Sequence, residues 1–175
     1  ALPCLPRDAR GLLKVAIRDD NPWLFLEHKA HYTYKGEGPA AEEVIELGVA
    51  DIKRQGSDVT LVAWSKTLTS CLEAVELLAQ EGIDVELVDP RTLQPLDIET
   101  VCTSVAKTGR LVVAHEAVRF GGLGGEIVAQ VVEQAWDSLQ AAPLRIGAPF
   151  VPVPYSEPME RFVVPQVQRI VDEVK

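Results

Sequence analysis

TGRLVVAHEAVRFGGLGGEIVAQVVEQAW, residues 108–136, decides the fold of this chain. Residues 111–114 are a short apolar run after Gly109-Arg110, which predicts a strand buried on both faces of a parallel sheet. Polar His115-Glu116, a glycine cluster and a helical pattern follow, so the segment predicts half of a βαβ unit. Ligands of open α/β sheets meet the carboxyl ends of the strands, and we therefore expect function near His115, Glu116 and the glycine loop.

The glycine cluster is a poor match to nucleotide-binding motifs. Gly122-Leu123-Gly124 supplies two glycines of G-x-G-x-x-G, but Ile127 occupies the third position, and no Gly-Lys-Ser/Thr follows. The pattern favours a structural turn over a phosphate loop. We expect Gly122 and Gly124 to be conformational, and a positive φ at either would make its replacement by Ala destabilising.

Working outward, strand and helix patterns alternate after Gly56. Strands are predicted at 59–64, 85–88, 111–114 and, as an edge strand, 144–146. Helices are predicted at 67–80, after a cap at Asp97, after the glycine loop and from Pro165 onward. Pro149, Pro152, Pro154 and Pro158 argue against regular structure between the last two elements. The alternation predicts a three-layer α/β/α fold with a mostly parallel sheet.

The first 53 residues have a weaker pattern. We predict a helix over 8–20 with Asp8 as its cap and Asn21-Pro22 as its end, followed by a buried strand over 23–26. Residues 29–53 are predicted to be a linker, with a short strand near 47–52.

Composition excludes several classes of protein. The chain has 175 residues, of which 47% are hydrophobic, so it can form a core and is too apolar for disorder. Its net charge of −9 and the absence of a basic patch argue against nucleic-acid binding and favour a basic partner. No apolar run approaches the roughly 20 residues of a membrane span. Cys4, Cys71 and Cys102 lack metal-ligand spacing. Cys71 and Cys102 fall on apolar helix faces, so core packing is expected for these two, in a reducing compartment.

One further motif is more specific than these patterns. DPRTLQPLD, residues 89–97, resembles the D-x-R-T-x-x-P-L-D signature of the transketolase C-terminal domain. Together with PRDARGLL (6–13), AIRDDNP (16–22), FLEHK (25–29), GVADIKR (48–54) and KTGR (107–110), it resembles the beta subunit of thiamine-diphosphate-dependent 2-oxo acid dehydrogenases of the pyruvate, branched-chain and acetoin classes. Pro90 departs from the aliphatic residue usual at its position.

The resemblance implies a domain arrangement and an activity. Residues 1–44 would be the end of a pyrimidine-binding domain plus a linker, and residues 45–175 a transketolase C-terminal domain. The complete alpha2-beta2 heterotetramer of the family decarboxylates a 2-oxo acid with thiamine diphosphate and magnesium and passes the acyl group to a lipoyl arm. The family's activating acidic residue and active-site histidine would lie before Ala1, so this chain alone is expected to be inactive, with no catalytic or cofactor-binding residue of its own.

The resemblance also implies partners and a metal site. The implied partners are the alpha subunit, a second beta subunit and the basic subunit-binding domain of the acyltransferase, in bacterial or archaeal cytoplasm or in the mitochondrial matrix. A structural potassium ion would be bound by Ala16, Ile17, Asp19 and Asn21, largely through backbone oxygens. The alternative interpretation of these residues is a simple helix end before Pro22.

Other polar residues favour structural roles. Adjacent strand residues point to opposite faces, so His115 and Glu116 are expected not to bond each other and to serve at a strand end or subunit contact. His28 and His31 have no ligand spacing and are expected to be solvated or at an interface. Asp97 is predicted to cap a helix, Asp89 and Arg91 to form a local pair that fixes a turn, and Ser65-Lys66 to join a strand to a helix.

Two other functions stay open. The first is a stand-alone interaction module with this fold and no catalysis. The second is another thiamine enzyme of the transketolase or deoxyxylulose-phosphate synthase type, against which the runs 16–21 and 25–29 argue.

Overall fold

A computed structural model describes residues 1–38 and 44–175 of the chain. Its strands are β1 (Asp51–Arg54), β2 (Val59–Ala63), β3 (Val85–Asp89), β4 (Leu111–Val118) and β5 (Leu144–Ala148). Its helices are α1 (Pro6–Arg18), α2 (Ser65–Gln80), α3 (Ile98–Thr108), α4 (Gly124–Ala135), α5 (Glu157–Val163) and α6 (Val167–Val174). Short 3-10 turns occupy Lys29–His31 and Trp136–Ser138.

The five strands form one mostly parallel sheet in the order β1-β3-β2-β4-β5. β3, β2, β4 and β5 are parallel to their neighbours, whereas β1 runs antiparallel to β3 at one edge. β5 lies at the opposite edge, as predicted. Parallel strands need crossover helices, and the strand–helix alternation supplies them.

Side chains alternate between the two faces of the sheet and divide the core in two. Leu61 and Ala63 of β2 belong to the cluster that contains α2 and α6 residues. Val62 and Trp64 belong to the cluster of α3 and α4 residues on the other face. Each face is therefore covered by its own helix pair, which confirms the three-layer α/β/α architecture.

The structure of the N-terminal segment differs from three of the predictions. α1 begins at Pro6, where proline is tolerated in a first helical turn, so Asp8 lies inside the helix and is not its cap. α1 ends at Arg18, and Asn21-Pro22 follows the end without forming it. Residues 23–26 form neither a strand nor a buried segment: Leu24 and Leu26 are 79% and 54% exposed, and the segment is hydrogen-bonded to Ala1 through Ala1 N to Leu24 O at 2.8 Å and Leu26 N to Ala1 O at 2.9 Å.

Further corrections concern element boundaries. β1 begins four residues later than the predicted strand near 47–52, and β4 extends to Val118, because Val118 still pairs with Ala148 of β5. Pro158 lies in the first turn of α5, where its missing N–H costs no helical bond, so the proline-rich stretch does contain a helix. Residues 39–43 of the predicted linker lie outside the described residues.

Cys71 and Cys102 pack in the core as predicted, and Cys4 is buried as well. Cys4 and Cys71 are buried in the α2–α6 side of the core, and Cys102 packs against the α3–α4 side. Burial raises the pKa of the Cys4 thiol to about 12, which keeps it protonated and unreactive at neutral pH.

Candidate functional site

The candidate site is a crevice at the carboxyl edge of the sheet, between β2 and β4. The chain leaves β2 into α2 on one face of the sheet and leaves β4 for α4 on the other, so this is a topological switch point. A cavity of about 280 Å³ lies there, and its lining includes His28, Trp64, Ser65, His115 and Glu116. The prediction that His115 and Glu116 lie near the functional edge of the sheet is consistent with this position.

His115 lines this crevice, and its side chain is buried and favours the neutral imidazole. Its ring stacks on the Trp64 indole with centroids 5.4 Å apart, and Nδ1 is 3.1 Å from the Ala117 carbonyl oxygen. Burial lowers the pKa of His115, and the bond to Ala117 opposes that shift only in part. His115 therefore acts as a packing element inside β4, which continues to Val118, so the predicted strand-end position is wrong.

The glycine loop packs directly on the His115 ring. A Cβ atom on Gly122 would lie 2.5 Å from the Val118 carbonyl oxygen and 2.7 Å from His115 Cε1, and one on Gly124 would lie 2.7 Å from His115 Nε2. Neither glycine has the positive φ that the sequence analysis considered; within the cluster that conformation belongs to Gly121. The physical reason for these glycines is close approach to the His115 ring and, at Gly122, also to the Val118 carbonyl group.

Glu116 points away from His115 and pairs with the N-terminal segment instead. Its Oε2 lies 3.3 Å from His28 Nε2, while His28 Nδ1 accepts a hydrogen bond from Ala30 N–H at 3.2 Å. Burial raises the pKa of Glu116, and His28 and Lys66 oppose that shift. The pair joins residues 28–30 to β4, and His115 and Glu116 do not bond each other, as predicted.

A buried ion network that was not predicted from the sequence joins α1 to the sheet. Lys53 Nζ on β1 lies 2.6 Å from Asp8 Oδ2, 2.7 Å from Asp51 Oδ2 and 3.6 Å from Asp89 Oδ2. The Arg91 guanidinium contacts Asp8 at 2.8 Å and Asp51 at 2.9 Å. Residues 83 positions apart thus share one site. The signal in the sequence was Asp8 inside an amphipathic helix, because a buried aspartate almost always has a partner.

Asp89 is the titratable centre of that network. It is fully buried at the end of β3, and burial raises its pKa to about 7 against the opposing attraction of Lys53. Its Oδ1 accepts the Arg91 backbone N–H at 2.9 Å, so the predicted Asp89–Arg91 pair exists through the backbone while the guanidinium contacts the other two carboxylates. Arg91 has φ +58°, a left-handed conformation that this bond helps to hold.

Two predicted structural roles are confirmed at helix starts. Asp97 Oδ1 accepts the Thr100 N–H at 3.0 Å, which caps α3, and its Oδ2 also accepts the Ala50 N–H at 2.9 Å. Ser65 begins α2 directly after β2, with φ +51° at the sharp strand–helix turn.

The proposed potassium ligands lie together at the exposed end of α1. The helix ends at Arg18, so the carbonyl groups of its last turn, including those of Ala16 and Ile17, lack partners within the helix. Asp19 Oδ1 accepts hydrogen bonds from both nitrogen donors of Asn21, at 2.7 and 2.8 Å. Backbone oxygens here suit a hard cation, whereas this carboxylate oxygen is already used by Asn21.

Thiamine diphosphate and magnesium do not fit the described residues. The glycine loop is filled by His115, and the residues described include no group of three His, Cys, Asp or Glu side chains that could bind a metal ion. Likewise, none of the described helices is long and apolar enough to cross a membrane.

Comparisons with known proteins agree with the fold. The chain is 41% identical over 177 residues to the mitochondrial pyruvate dehydrogenase E1 component subunit beta of Dictyostelium discoideum, covering 99% of this chain and 50% of that protein. It is 44% identical over 170 residues to the acetoin:2,6-dichlorophenolindophenol oxidoreductase subunit beta of Bacillus subtilis (strain 168), covering 97% and 50%. The chain therefore spans about half the length of these relatives.

A solved structure and a family match complete the comparison. A split-gene transketolase, described as an inactive beta4 tetramer, aligns with a TM-score of 0.78 and 26% identity over 98% of this chain and 54% of that one. Residues 48–170 match the family described as "Transketolase, C-terminal domain". Because this match covers well over half of the residues, the chain belongs to the transketolase C-terminal domain family.

Proposed function

We propose that this chain is part of the beta subunit of a thiamine-diphosphate-dependent 2-oxo acid dehydrogenase, the component that decarboxylates a 2-oxo acid and transfers the acyl group to a lipoyl arm. The observation that carries the proposal is identity of 41% and 44% to two beta subunits over 99% and 97% of the chain. On this proposal residues 1–44 end a pyrimidine-binding domain, and residues 45–175 form the transketolase C-terminal domain.

The role of this part is assembly. The Asp8–Lys53–Arg91 contacts hold α1 against the sheet, so a domain continuous with α1 would be fixed to the C-terminal domain by buried charges. Because the described residues do not fit thiamine diphosphate or magnesium, those groups belong to the complete alpha2-beta2 enzyme, where the cofactor supplies the carbanion stabilisation for decarboxylation. The chain alone is expected to have no turnover.

The partners follow from the same proposal. They are the alpha subunit, a second beta subunit and the acyltransferase's basic subunit-binding domain, for which a net charge of −9 is complementary. Calorimetric titration with that basic domain at low and high salt tests the electrostatic part: affinity should fall with salt, and binding indifferent to salt would exclude it.

A potassium ion at Ala16, Ile17, Asp19 and Asn21 is a further part of the proposal. The supporting observation is the set of carbonyl groups left without helical partners at the end of α1. Thermal unfolding of the assembled enzyme in potassium and in sodium salts at equal ionic strength tests it, since a specific ion stabilises only the folded state.

The decisive experiment is co-expression with candidate alpha subunits. Native mass spectrometry should detect the heteromeric assembly, and the assembly should turn over pyruvate, a branched-chain 2-oxo acid or acetoin when thiamine diphosphate and magnesium are added. Turnover by this chain without an alpha subunit would show that the chain contains an active site of its own, and would contradict the proposal. A cytoplasmic or mitochondrial-matrix location is expected for such an enzyme.

The alternative is a non-catalytic interaction module. It is favoured by the same lack of fit to the cofactor within the described residues. A reading frame for a pyrimidine-binding domain upstream of this chain supports the enzyme, whereas partner binding without turnover in every assembly supports the module.

A further inference from the structure

The crevice between β2 and β4 contains two buried hydroxyl groups that have no hydrogen-bond partner. Ser65 and Thr67, in the first turn of α2, line its cavity of about 280 Å³ and are only 9% and 2% exposed. Neither hydroxyl group bonds to a residue that the structure describes, and neither oxygen is sealed off from the cavity. Buried hydroxyl groups in proteins are nearly always hydrogen-bonded, so the partners of these two must come from inside the cavity.

The backbone of the same helical turn supplies further donors. Trp64, the residue before α2, provides no side-chain cap, and no described group accepts the N–H groups of residues 65–67. Uncapped N–H groups and the helix dipole favour a negative charge at this end of a helix. Lys66 Nζ, held 2.8 Å from Thr69 Oγ1, adds a positive charge to the same turn. Together with the two hydroxyl groups, this turn suits a carboxylate or another small oxyanion.

The opposite wall of the cavity calls for a cation. The Nδ1 atom of His28 accepts the Ala30 N–H, so its Nε2 carries the proton and donates to Glu116 Oε2 at 3.3 Å. The second oxygen of Glu116, Oε1, has no partner among the residues described. Glu27 is a second carboxylate in the lining and is exposed at the rim. A ligand that carried only negative charge, such as phosphate, would be repelled by these two side chains.

The remaining lining is apolar and the cavity is small. It consists of Leu2, Leu26, Trp64 and Ala117 beside the His115 ring. The volume of about 280 Å³ lies near the lower end of the roughly 300–1,000 Å³ that is typical of small-molecule sites. Such sites combine apolar walls with a few convergent polar groups, which is the arrangement found here.

We propose that this crevice binds a free α-amino acid with an apolar side chain. Its carboxylate accepts from the Ser65 and Thr67 hydroxyl groups and the first N–H groups of α2, and its ammonium group donates to Glu116. Its side chain packs on the Trp64 indole. The matching 2-oxo acid is excluded by the same wall, because its carbonyl oxygen would place an acceptor against an acceptor. The site goes beyond the proposed function, which assigns no ligand to the crevice, and does not depend on it.

Nuclear magnetic resonance titration of the 175-residue chain tests this with L-leucine as the probe. Leucine should shift the backbone amide signals of residues 65–67 and the indole signal of Trp64. Two analogues each lack one of the recognised groups: 4-methyl-2-oxopentanoate has no ammonium group, and 3-methylbutylamine has no carboxylate. Each analogue should bind at least about tenfold more weakly than leucine, because a buried polar group of the site would stay unpaired.

Matched variants identify the groups that recognise the ligand. Thr67→Val and Glu116→Gln should each weaken leucine binding by about tenfold, whereas Thr67→Ser, which keeps the hydroxyl group, should retain most of the affinity. Thr103→Val is the control for the first change, because Thr103 is exposed on α3, outside the crevice. Thermal unfolding of each variant without ligand shows whether it is folded, and Thr67→Ser keeps the test valid if Thr67→Val unfolds.

Four results would overturn the proposal: no leucine binding at millimolar concentration, equal affinity for leucine and either analogue, shifts confined to residues outside the crevice, or tighter binding of inorganic phosphate than of leucine. Leucine binding by the chain that is lost in an assembly with an alpha subunit would also overturn it, since a subunit would then cover the crevice. An assembly that binds leucine but fails to decarboxylate any 2-oxo acid would remove the proposed function and leave this site in place.

Discussion

Replacement of Lys53 by Met removes the central cation of the buried ion network. Lys53 is 7% exposed at its side chain and lies within 4 Å of three carboxylates, of which Asp8 and Asp89 are 1% and 0% exposed. Met keeps an unbranched, flexible side chain and loses the charge. The variant therefore leaves two carboxylates in a low-dielectric site with less compensation.

The expected cost follows from that geometry. Removing one partner of a buried ion pair typically destabilises a protein by about 3–5 kcal/mol, because an uncompensated charge remains. Arg91 still contacts Asp8 and Asp51, so the lower end, about 3 kcal/mol, is expected here. This is a large fraction of the stability of a typical domain, which is about 5–15 kcal/mol.

The loss should grow with pH. Asp89 has a folded-state pKa near 7, above its value in the unfolded chain, so the folded state holds a proton that the unfolded state has released. Stability from this group is therefore present at low pH and is lost as pH rises towards 7. The positive charge of Lys53 lowers the pKa of Asp89, so without Lys53 that pKa should rise further, and the destabilisation should be larger at about pH 8 than at about pH 5.

Urea unfolding at both pH values measures these effects, and Lys175→Met is the matched control. Lys175 pairs with Glu81 at 2.6 Å on the surface, where removal should cost less than about 1 kcal/mol. Adding Asp89→Asn to Lys53→Met should recover part of the loss. A loss for Lys53→Met no larger than that of the control, or equal losses at the two pH values, would refute the account of the network.

Three further predictions concern single residues. Gly124→Ala should cost about 1–3 kcal/mol of unfolding free energy, because its Cβ would lie 2.7 Å from His115 Nε2. The cost should shrink when His115 is also replaced by Ala, and an unchanged cost in that double variant would contradict the contact. Asp97→Ala should lower the unfolding free energy by about 1–2 kcal/mol through loss of the α3 cap, whereas Glu99→Ala, at an exposed position, should lower it by less than about 0.5 kcal/mol. Equal losses for the two variants in chemical denaturation would contradict the capping role. Asp89→Asn alone should flatten the fall in stability between about pH 4 and pH 7, and an unchanged slope would assign that fall to other groups.

The sequence alone determined the alternation of strands and helices over residues 56–148 and the last helix, because periodicity is a local property, whereas α5 in the proline-rich stretch was not predicted. Apolar runs of strand length and helical patterns recur in alternation, and helix α2, like the cap at Asp97, lies where predicted. The motif at 89–97 was specific enough to identify the transketolase C-terminal domain, because it combines several residue types at fixed spacing.

The tertiary structure decided every feature that depends on residues distant in sequence. Asp8 looked like a helix cap from its neighbours, but its partners are Lys53 and Arg91. Gly122 and Gly124 have no room for a Cβ because the buried His115 ring and, at Gly122, the Val118 carbonyl group lie against them, which no local φ preference indicates. Burial also sets charge: Asp89 titrates near neutrality because the sheet and α1 remove it from water, and desolvation is a property of the folded chain.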